Sequence, residues 1–495
     1  MNISTFFGLN VGMSALDTMQ QAEDVVSNNI ANANTTGYVR ETASISEQAP
    51  FPNVPANDSP LLHGQLGQGS EVAAVTRQTN AFINEQDRAN QGTLQMFQTH
   101  SQNLTQIESI LNEPSSMSMQ NAVDQFFASW QTLSTDPSNT AARQAVISQG
   151  QTLGQTFQTI TTQLEQMQSN LSTTVLGQID QFNSDASQVA TLNTQIANVE
   201  SNNQNPNQLL DQRGNLLNDM AKLANISYST QSNGMVNVSI VGPSGSSGSP
   251  TSVVSGATST KLSLNTQTAG DGSSLLATSS LLSNITSGSI AGNVQSLDDT
   301  QGILSNLNSF LKTLADQVNA IQNPSGTGSN LFQITNNPSS PSTTPTGNPT
   351  QGDIVLQVAP TLTASNINAG SSPGDNSNAL AMVALQNQTP SSYWPYSYTS
   401  LATSNSVTTT NSGTFDQSLA QIVSGLGIQA AQVNSQEQTA NSLASQSSNL
   451  RQSISGVNIN EEAANMVAYQ NSYNAAAKFI SVYDSMLQTL IGMIP

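Results

Sequence analysis

The stretch INEEAANMVAYQNSYNAAAKFISVYDSMLQTLIGMI, residues 459–494, decides the architecture. Read backward, one seven-residue series holds Ile494, Leu487, Ile480, Tyr473, Met466 and Ile459, and an interleaved series holds Leu490, Tyr483, Ala476 and Tyr469. Apolar residues alternating at spacings of four and three form a coiled-coil seam. The other extremity answers with Leu9, Leu16 and Ile30 in one series and Met19, Val26 and Ala33 in the other, Gly12 and Glu23 being the exceptions. Ala475, Ala476 and Ala477 permit close helix approach, and Asn28, Asn29, Asn32 and Asn34 give a polar flank. Such a pair of helices can close on itself. Because the stripes are long and terminal, the expectation is instead that they bury themselves against copies of the same chain. Each large apolar side chain buried is worth ~1.5–3 kcal/mol, and a lone two-helix pair leaves much of that unrealised.

At 495 residues the chain exceeds one small core and predicts about two to four domains. The net charge is −20, yet only 8% of residues are charged, so the acidity reflects scarce Lys and Arg. Phosphate binding needs clustered cations, which argues against a nucleic-acid partner. The polar surface must be Ser, Thr, Asn and Gln, whose hydration depends little on pH or salt. Cysteine is absent, which removes disulfides and thiolate chemistry. Residues 1–12 lack both a basic residue and a long apolar run, so no cleavable secretory signal is read there. No stretch approaches the ~20 apolar residues of a membrane span.

Inward from the ends, residues 46–75 carry Pro50, Pro52, Pro55 and Pro60 and read as an extended connector. Helical spacing follows at Leu94, Phe97, Leu104, Ile107 and Leu111, then at Phe126, Phe127, Trp130 and Leu133. Beyond Pro137 one pattern runs from Val146 to Val199, ending at Asn205-Pro206. About 60 residues of helix span about 90 Å, a rod. The period then changes: Ile226 and Tyr228, then Val236, Val238 and Ile240, alternate around Ser232-Asn233-Gly234, a strand pair with a turn. The β reading extends through a Gly/Ser loop at 242–250 to about residue 285, and Ile354, Leu356 and Val358 add a strand. Helix returns at Leu297 to Val318, at 376–389 and from 415 onward, while 336–350 is a Pro/Ser/Thr/Asn loop.

These readings predict a mainly α fold with an inserted β domain: terminal coiled-coil helices, an elongated helical bundle and an outer all-β domain. The expected division is 1–45 plus 457–495 for the inner terminal domain, 46–206 plus 286–325 plus 375–456 for the helical middle domain, and 207–285 plus 326–374 for the outer β domain. The chain runs outward through these layers and returns, so the two termini are expected together.

Catalytic chemistry finds no foothold. The two histidines are His63 in the connector and His100 on a helix, and neither a His-Glu-x-x-His pair nor a phosphate loop occurs. No calcium-loop spacing occurs either. Glu461-Glu462 and Asp298-Asp299 are adjacent carboxylates, but helical neighbours point about 100° apart and share no acid/base site. Both pairs read as helix-start acids facing the dipole. Tyr393-Trp394-Pro395-Tyr396 reads as a packed loop, with a sugar-stacking platform as the alternative. No catalytic residue, metal site or cofactor is predicted.

The segments Ser27-Asn28-Asn29-Ile30-Ala31-Asn32 and Thr36-Gly37-Tyr38-Val39-Arg40 resemble the signature of the bacterial flagellar axial proteins: rod, hook and hook-associated proteins. Leu209-Leu210-Asp211-Gln212-Arg213, Ser287-Gly288-Ser289-Ile290-Ala291-Gly292 and the run from Ser455, Gly456, Val457, Asn458 and Ile459 through Glu461 and Glu462 to Asn465 look like the hook-associated protein 1 family, junction proteins between hook and filament. The resemblance covers about half the chain. It implies a nested architecture, and the mechanism expected for it is disorder to order, with segments 1–45 and 457–495 largely unfolded until incorporation. It implies an extracellular place in the flagellum after type III export without signal cleavage. The partners it implies are copies in a helical array, the hook protein, the next junction protein, and a cytoplasmic export chaperone on the C-terminal helix. Assembly is expected to rest on Leu9, Leu16, Met19, Val26, Ile30, Ile459, Met466, Tyr473, Ile480, Tyr483, Leu487, Leu490 and Ile494. Two rivals stay open: a hook or distal-rod subunit, and a surface adhesin binding carbohydrate through its β domain and Tyr393-Trp394. An enzyme is a distant third.

Overall fold

The computed structural model describes residues 6–50, 66–111, 115, 118–242, 250–268, 274–336, 354–408 and 411–493. The predicted sites His63 and Ile494 lie outside these residues, as do Pro52, Pro55, Pro60 and most of the two predicted loops at 242–250 and 336–350.

The chain opens with α1 (Phe7–Ala31), followed by an antiparallel pair, β1 (Glu41–Glu47) and β2 (Ser70–Arg77), with Glu41 opposite Arg77. This corrects the reading of 46–75 as a plain connector: its two flanks pair, and Thr18 Oγ1 on α1 donates to Ser70 O at 2.8 Å. Helices α2 (Ala81–Leu111), α3 (Met119–Thr135), α4 (Thr140–Glu200) and α5 (Asn207–Leu223) come next. Ser118 caps α3 and Asn139 caps α4, each side chain accepting a backbone N–H at 3.1 Å. Helix α4 has 61 residues and buries Val146, Leu153, Phe157, Leu164, Val175, Phe182 and Val189 along one side, as the seven-residue pattern predicts.

The strands β3 (Ile226–Thr230), β4 (Val236–Ile240), β5 (Thr251–Ser255) and β6 (Thr258–Ser259) form a four-stranded antiparallel sheet. Its first hairpin turns at Gly234, φ +74°, in the register Ile226 to Ile240. Strands β7 (Thr266–Thr268) and β8 (Ser274–Leu276) pair with each other. Then α6 (Ser280–Asn284) leads to α7 (Gly288–Gln322). A hairpin of β9 (Phe332–Asn336) and β10 (Ile354–Val358) follows, then α8 (Ser377–Gln386), the pair β11 (Ser397–Thr399) and β12 (Ser406–Thr408), α9 (Phe415–Ser455) and α10 (Ile459–Gly492). The fold is mostly helical with small antiparallel sheets of two to four strands. The predicted strand at 354–358 is present, but it lies with β9 on α4 and α7.

The sheets are held to the helices by carboxamides. Asn193, fully buried near the C-terminal end of α4, donates to Val236 O (2.8 Å) and Gly256 O (2.7 Å) and accepts from Val236 N (3.1 Å) and Arg213 Nη1 (3.0 Å). Asn183 grips Leu262 through both its N–H and C=O at 2.9 and 2.8 Å, and Asn319 does the same for the Leu331–Phe332 backbone. A carboxamide carries both a donor and an acceptor, so it extends a strand's ladder from a helix without burying charge. Around these clasps the core is aromatic: Phe310 stacks on Phe157 and meets Phe415 edge-on, both at 5.5 Å.

Candidate assembly interface

Helices α1 and α10 pack against each other, and the contacts run antiparallel. Gly8 faces Tyr483, Gly12 faces Ile480, Glu23 Oε1 accepts from Gln470 Nε2 at 3.0 Å, and Asn29 Nδ2 donates to Glu462 Oε2 at 3.1 Å. The interface follows the predicted seam. Val26 is buried; Leu9, Leu16, Met19 and Ile30 are half-buried, as are Met466, Ile480, Tyr483 and Leu487. Tyr473 sits at its margin, whereas Ile459 and Leu490 are about half exposed (51% and 55%). Part of the apolar stripe thus finds cover within one chain, contrary to the expectation that it waits for neighbours in an unfolded state.

Sequence reasoning missed a second stripe on α10. Phe479, Val482, Met486 and Met493, with Leu490 among them, recur at spacings of three and four, and all are 45–74% exposed. At about 100° per residue this stripe lies roughly a third of a turn from the seam. It was legible as a second periodicity, hidden because the seven-residue count assigned Leu490 to the first. Every α10 residue except Glu462 is exposed or half-exposed among those described.

The resemblance residues meet at one polar junction beneath this pair. Asn29 is fully buried; its Nδ2 also donates to Glu41 O (2.7 Å), and its Oδ1 accepts from Tyr38 Oη (2.8 Å) and Glu41 N (2.9 Å). Asn28 Nδ2 donates to Tyr38 Oη at 3.2 Å. Burial, reinforced by the carboxylates of Glu41, Asp211 and Glu462, pushes the Tyr38 phenol well above its ordinary range, so it stays a protonated donor. Gly37 stands at φ +79°, a backbone that strains any other residue, and a Cβ there would also displace the Asn215 carboxamide, whose Oδ1 lies 1.8 Å away. Asp211 on α5 accepts from Val39 N at 3.4 Å and pairs with Arg77 of β2; burial raises its pKa and Arg77 opposes the shift.

The return of the chain is built into the same place. Gly456 separates α9 from α10, where a Cβ would meet Gln452 O at 2.4 Å, and Asn458 caps α10 by accepting from Asn460 N at 3.1 Å. Glu461 and Glu462 occupy the first turn, as predicted, and Glu461 also pairs with Arg40 at 3.0 Å. Arg40 N donates to Ser455 O at 2.9 Å. Arg40, Arg77, Glu41 and Ser455 were not singled out as sites. The scarcity of cations was the available signal, since two of only ten Lys and Arg sit here.

Other predicted residues go elsewhere. Arg213 points away from the junction to Asn193 and to Gly234 O (2.7 Å), burial lowering its pKa to about 10, and Gln212 is exposed. Asp298-Asp299 is a correction: α7 begins at Gly288, so the pair lies in mid-helix and does not face a helix start. Asp298 caps the 400–402 turn, while Asp299 accepts from His100 (2.6 Å) and Gln429 (2.6 Å), joining α2, α7 and α9. Tyr396 is buried and Tyr393 bonds the 413–414 backbone; Trp394 is 40% exposed, with Lys312 Nζ 4.5 Å from its ring centroid. Among the described residues no group of three metal-ligating side chains converges, and no helix is long and apolar enough to cross a membrane.

Residues 104–332 match the model of the flagellar hook-associated protein FlgK helical domain, 9–38 that of the flagella basal body rod protein, and 451–493 that of the flagellar basal body rod FlgEFG protein C-terminal region. Flagellar hook-associated protein 1 of Bacillus subtilis is 34% identical over 231 residues, and that of Salmonella typhimurium 32% over 234. Over these segments the chain is similar to flagellar hook-associated protein 1. Each match covers 47% of the chain and less than half of the relative, 45% and 41%. The structure of the flagellar hook junction protein FlgK from Burkholderia pseudomallei superposes with a TM-score of 0.58 over 75% of this chain and 100% of that one, at 17% identity, a likeness of fold. Two of the three family models fall on the elements that form the α1–α10 pair and its junction.

Proposed function

We propose that the chain is a structural, non-enzymatic subunit of the bacterial flagellum at the hook–filament junction, assembling through its terminal helices and connecting hook to filament. The observation that carries this is the α1–α10 pair: two extremities joined antiparallel, anchored to the body by a buried polar junction, with an apolar stripe of α10 open to solvent. A lone globular protein rarely leaves such a face uncovered. Contacts between unlike faces of successive subunits generate helical arrays, so the open stripe of one copy meets a different surface on the next. In the proposed division, residues 1–45 and 457–495 form the terminal domain, residues 46–206, 286–325 and 375–456 the helical domain, and residues 207–285 and 326–374 an outward β domain. The proposed partners are copies of the chain, the hook protein, the next junction protein and an export chaperone on α10. The proposed location is extracellular, reached by type III export.

The test is the pair Ile480→Asp and Leu487→Asp. The body is expected to stay folded while junction assembly and motility are lost; a fully motile double variant overturns the reading. In a deletion strain, electron microscopy is expected to show hooks without filaments, with flagellin shed to the medium. Normal filaments there, with glycan capture by the full chain, would favour the adhesin reading. For that alternative the one supporting observation is the half-open Trp394, although Lys312 already occupies one face of its ring.

A further inference from the structure

Gly12 is a gap in the apolar stripe by residue type, yet it is buried at the seam. A Cβ on it would lie 2.7 Å from Ile480 Cγ1 and 3.1 Å from Phe479 Cδ1, and one on Gly8 would lie 2.5 Å from Tyr483 Cε2. Contacts that short do not occur between packed carbons, so both glycines are filled by side chains of the opposite helix. The need for them follows from the repeat itself. Sliding α10 by seven residues puts Tyr473 or Leu487 opposite Gly12 and still sets apolar against apolar along the rest of the seam. Burial of apolar surface therefore does not select a register.

We propose that Gly8 and Gly12 select it: they are sockets for Tyr483 and Ile480, and together with the Asn29–Glu462 bond they hold α10 at one axial position. In this register Leu16 falls beside Ala476, a large side chain against a small one, where the slipped registers set Leu16 against Tyr469 or Tyr483. A slip of one repeat moves the open stripe of α10 along the body by about 10 Å. The consequence for assembly rests on the function proposed above, but the register is read independently of it.

The chain has no cysteine, so introduced pairs report register without background. Val26→Cys with Met466→Cys stand opposite each other in the present register; Val26→Cys with Ile459→Cys, or with Tyr473→Cys, report a slip of seven either way. In the otherwise unchanged full chain the first pair is expected to close at least about tenfold faster, the scale set by overpacking a close contact. Gly12→Leu completes the apolar stripe and is expected to abolish that preference, whereas Gly12→Leu with Ile480→Ala, which moves the bulk across the seam, restores it. Glu23→Leu fills the other gap in the stripe without entering a socket and is expected to keep the present register. Equal closure of all three pairs in the unchanged chain overturns the proposal. So does an undiminished preference in Gly12→Leu, or failure of Ile480→Ala to restore it where Gly12→Leu has lost it. A correct register with failed junction assembly instead counts against the functional reading alone.

Discussion

The helical body and the terminal pair are made from the same kinds of residue and use them differently. In the body the central apolar stripes are covered, although Phe82 and Ile428 stay exposed at its surface: Phe126, Phe157, Phe310 and Phe415 lose essentially all contact with water, and strands are locked on by Asn193, Asn183 and Asn319. In the terminal pair one stripe is half covered and a second is open, and among its described residues the single fully buried carboxamide, Asn29, lies at its base. The body covers most of its own apolar surface; the pair keeps some in reserve. What separates the two is how many faces of each helix have a partner within the chain.

The largest expected effect lies in the body. Phe310→Ala is expected to lower unfolding stability by ~3–5 kcal/mol, seen as a lower denaturant midpoint, because a ring packed between Phe157 and Phe415 leaves a cavity. Met486→Ala on the open stripe is expected to shift the same midpoint by less than ~0.5 kcal/mol. Equal losses would erase the distinction between the regions. Next, Asn193→Ala removes a partner from Val236, Gly256 and Arg213, which keeps Gly234 O, a cost of ~3 kcal/mol, with hydrogen exchange accelerated in β4 before the helices.

Asn29→Ala sharpens the contrast from the other side. The expected loss is ~2 kcal/mol of local opening free energy, read as faster exchange and proteolysis in α1 and α10 while the body midpoint stays put. A body that melts earlier in this variant would mean that the two regions unfold as one. The smallest effect is an acid one. Asp375 accepts from the backbone N–H groups of Ser377 (2.9 Å) and Ser371 (2.7 Å), which lower its pKa to about 2. Its folded value lies below the ordinary ~4, so its contribution is present above pH ~4 and is lost as pH falls through about 2. Asp375→Asn is expected to flatten that segment of the acid-unfolding curve and leave neutral-pH stability of the terminal pair unchanged.

How much of this was legible follows the same divide. The seam, the long α4 and the β3–β4 hairpin were readable because each is a simple period in one dimension. Gly12 was not, because counting apolar residues scores a glycine as absence when the helix opposite uses it as room. The β1–β2 pair was hidden by the prolines between its strands, and β9 by having only Phe332 and Ile334 as alternating apolar residues, where β10 has three. Asp298-Asp299 was misjudged because Gly288–Gly292 was read as a motif and not as the first turns of α7. Asn29, Tyr38, Asp211 and Glu462 of the polar junction stood in the quoted motifs, but Asn29 and Glu462 stand 433 positions apart, and nothing local announces that they touch.

Helix α4 gives this arrangement a mechanical property. Its C-terminal corner is fastened to β2, where Asn205 and Asn207 both donate to Val75 O at 3.1 Å, while Gly150 and Gly154 lie against β10 at the far end. Those ends are some 50 residues apart, about 75 Å of unbroken helix. A rotation of about ten degrees at the fastened corner would sweep the β9–β10 hairpin through about 13 Å over that length. A lever of this ratio converts small angular differences near the terminal helices into large displacements at the distal hairpin.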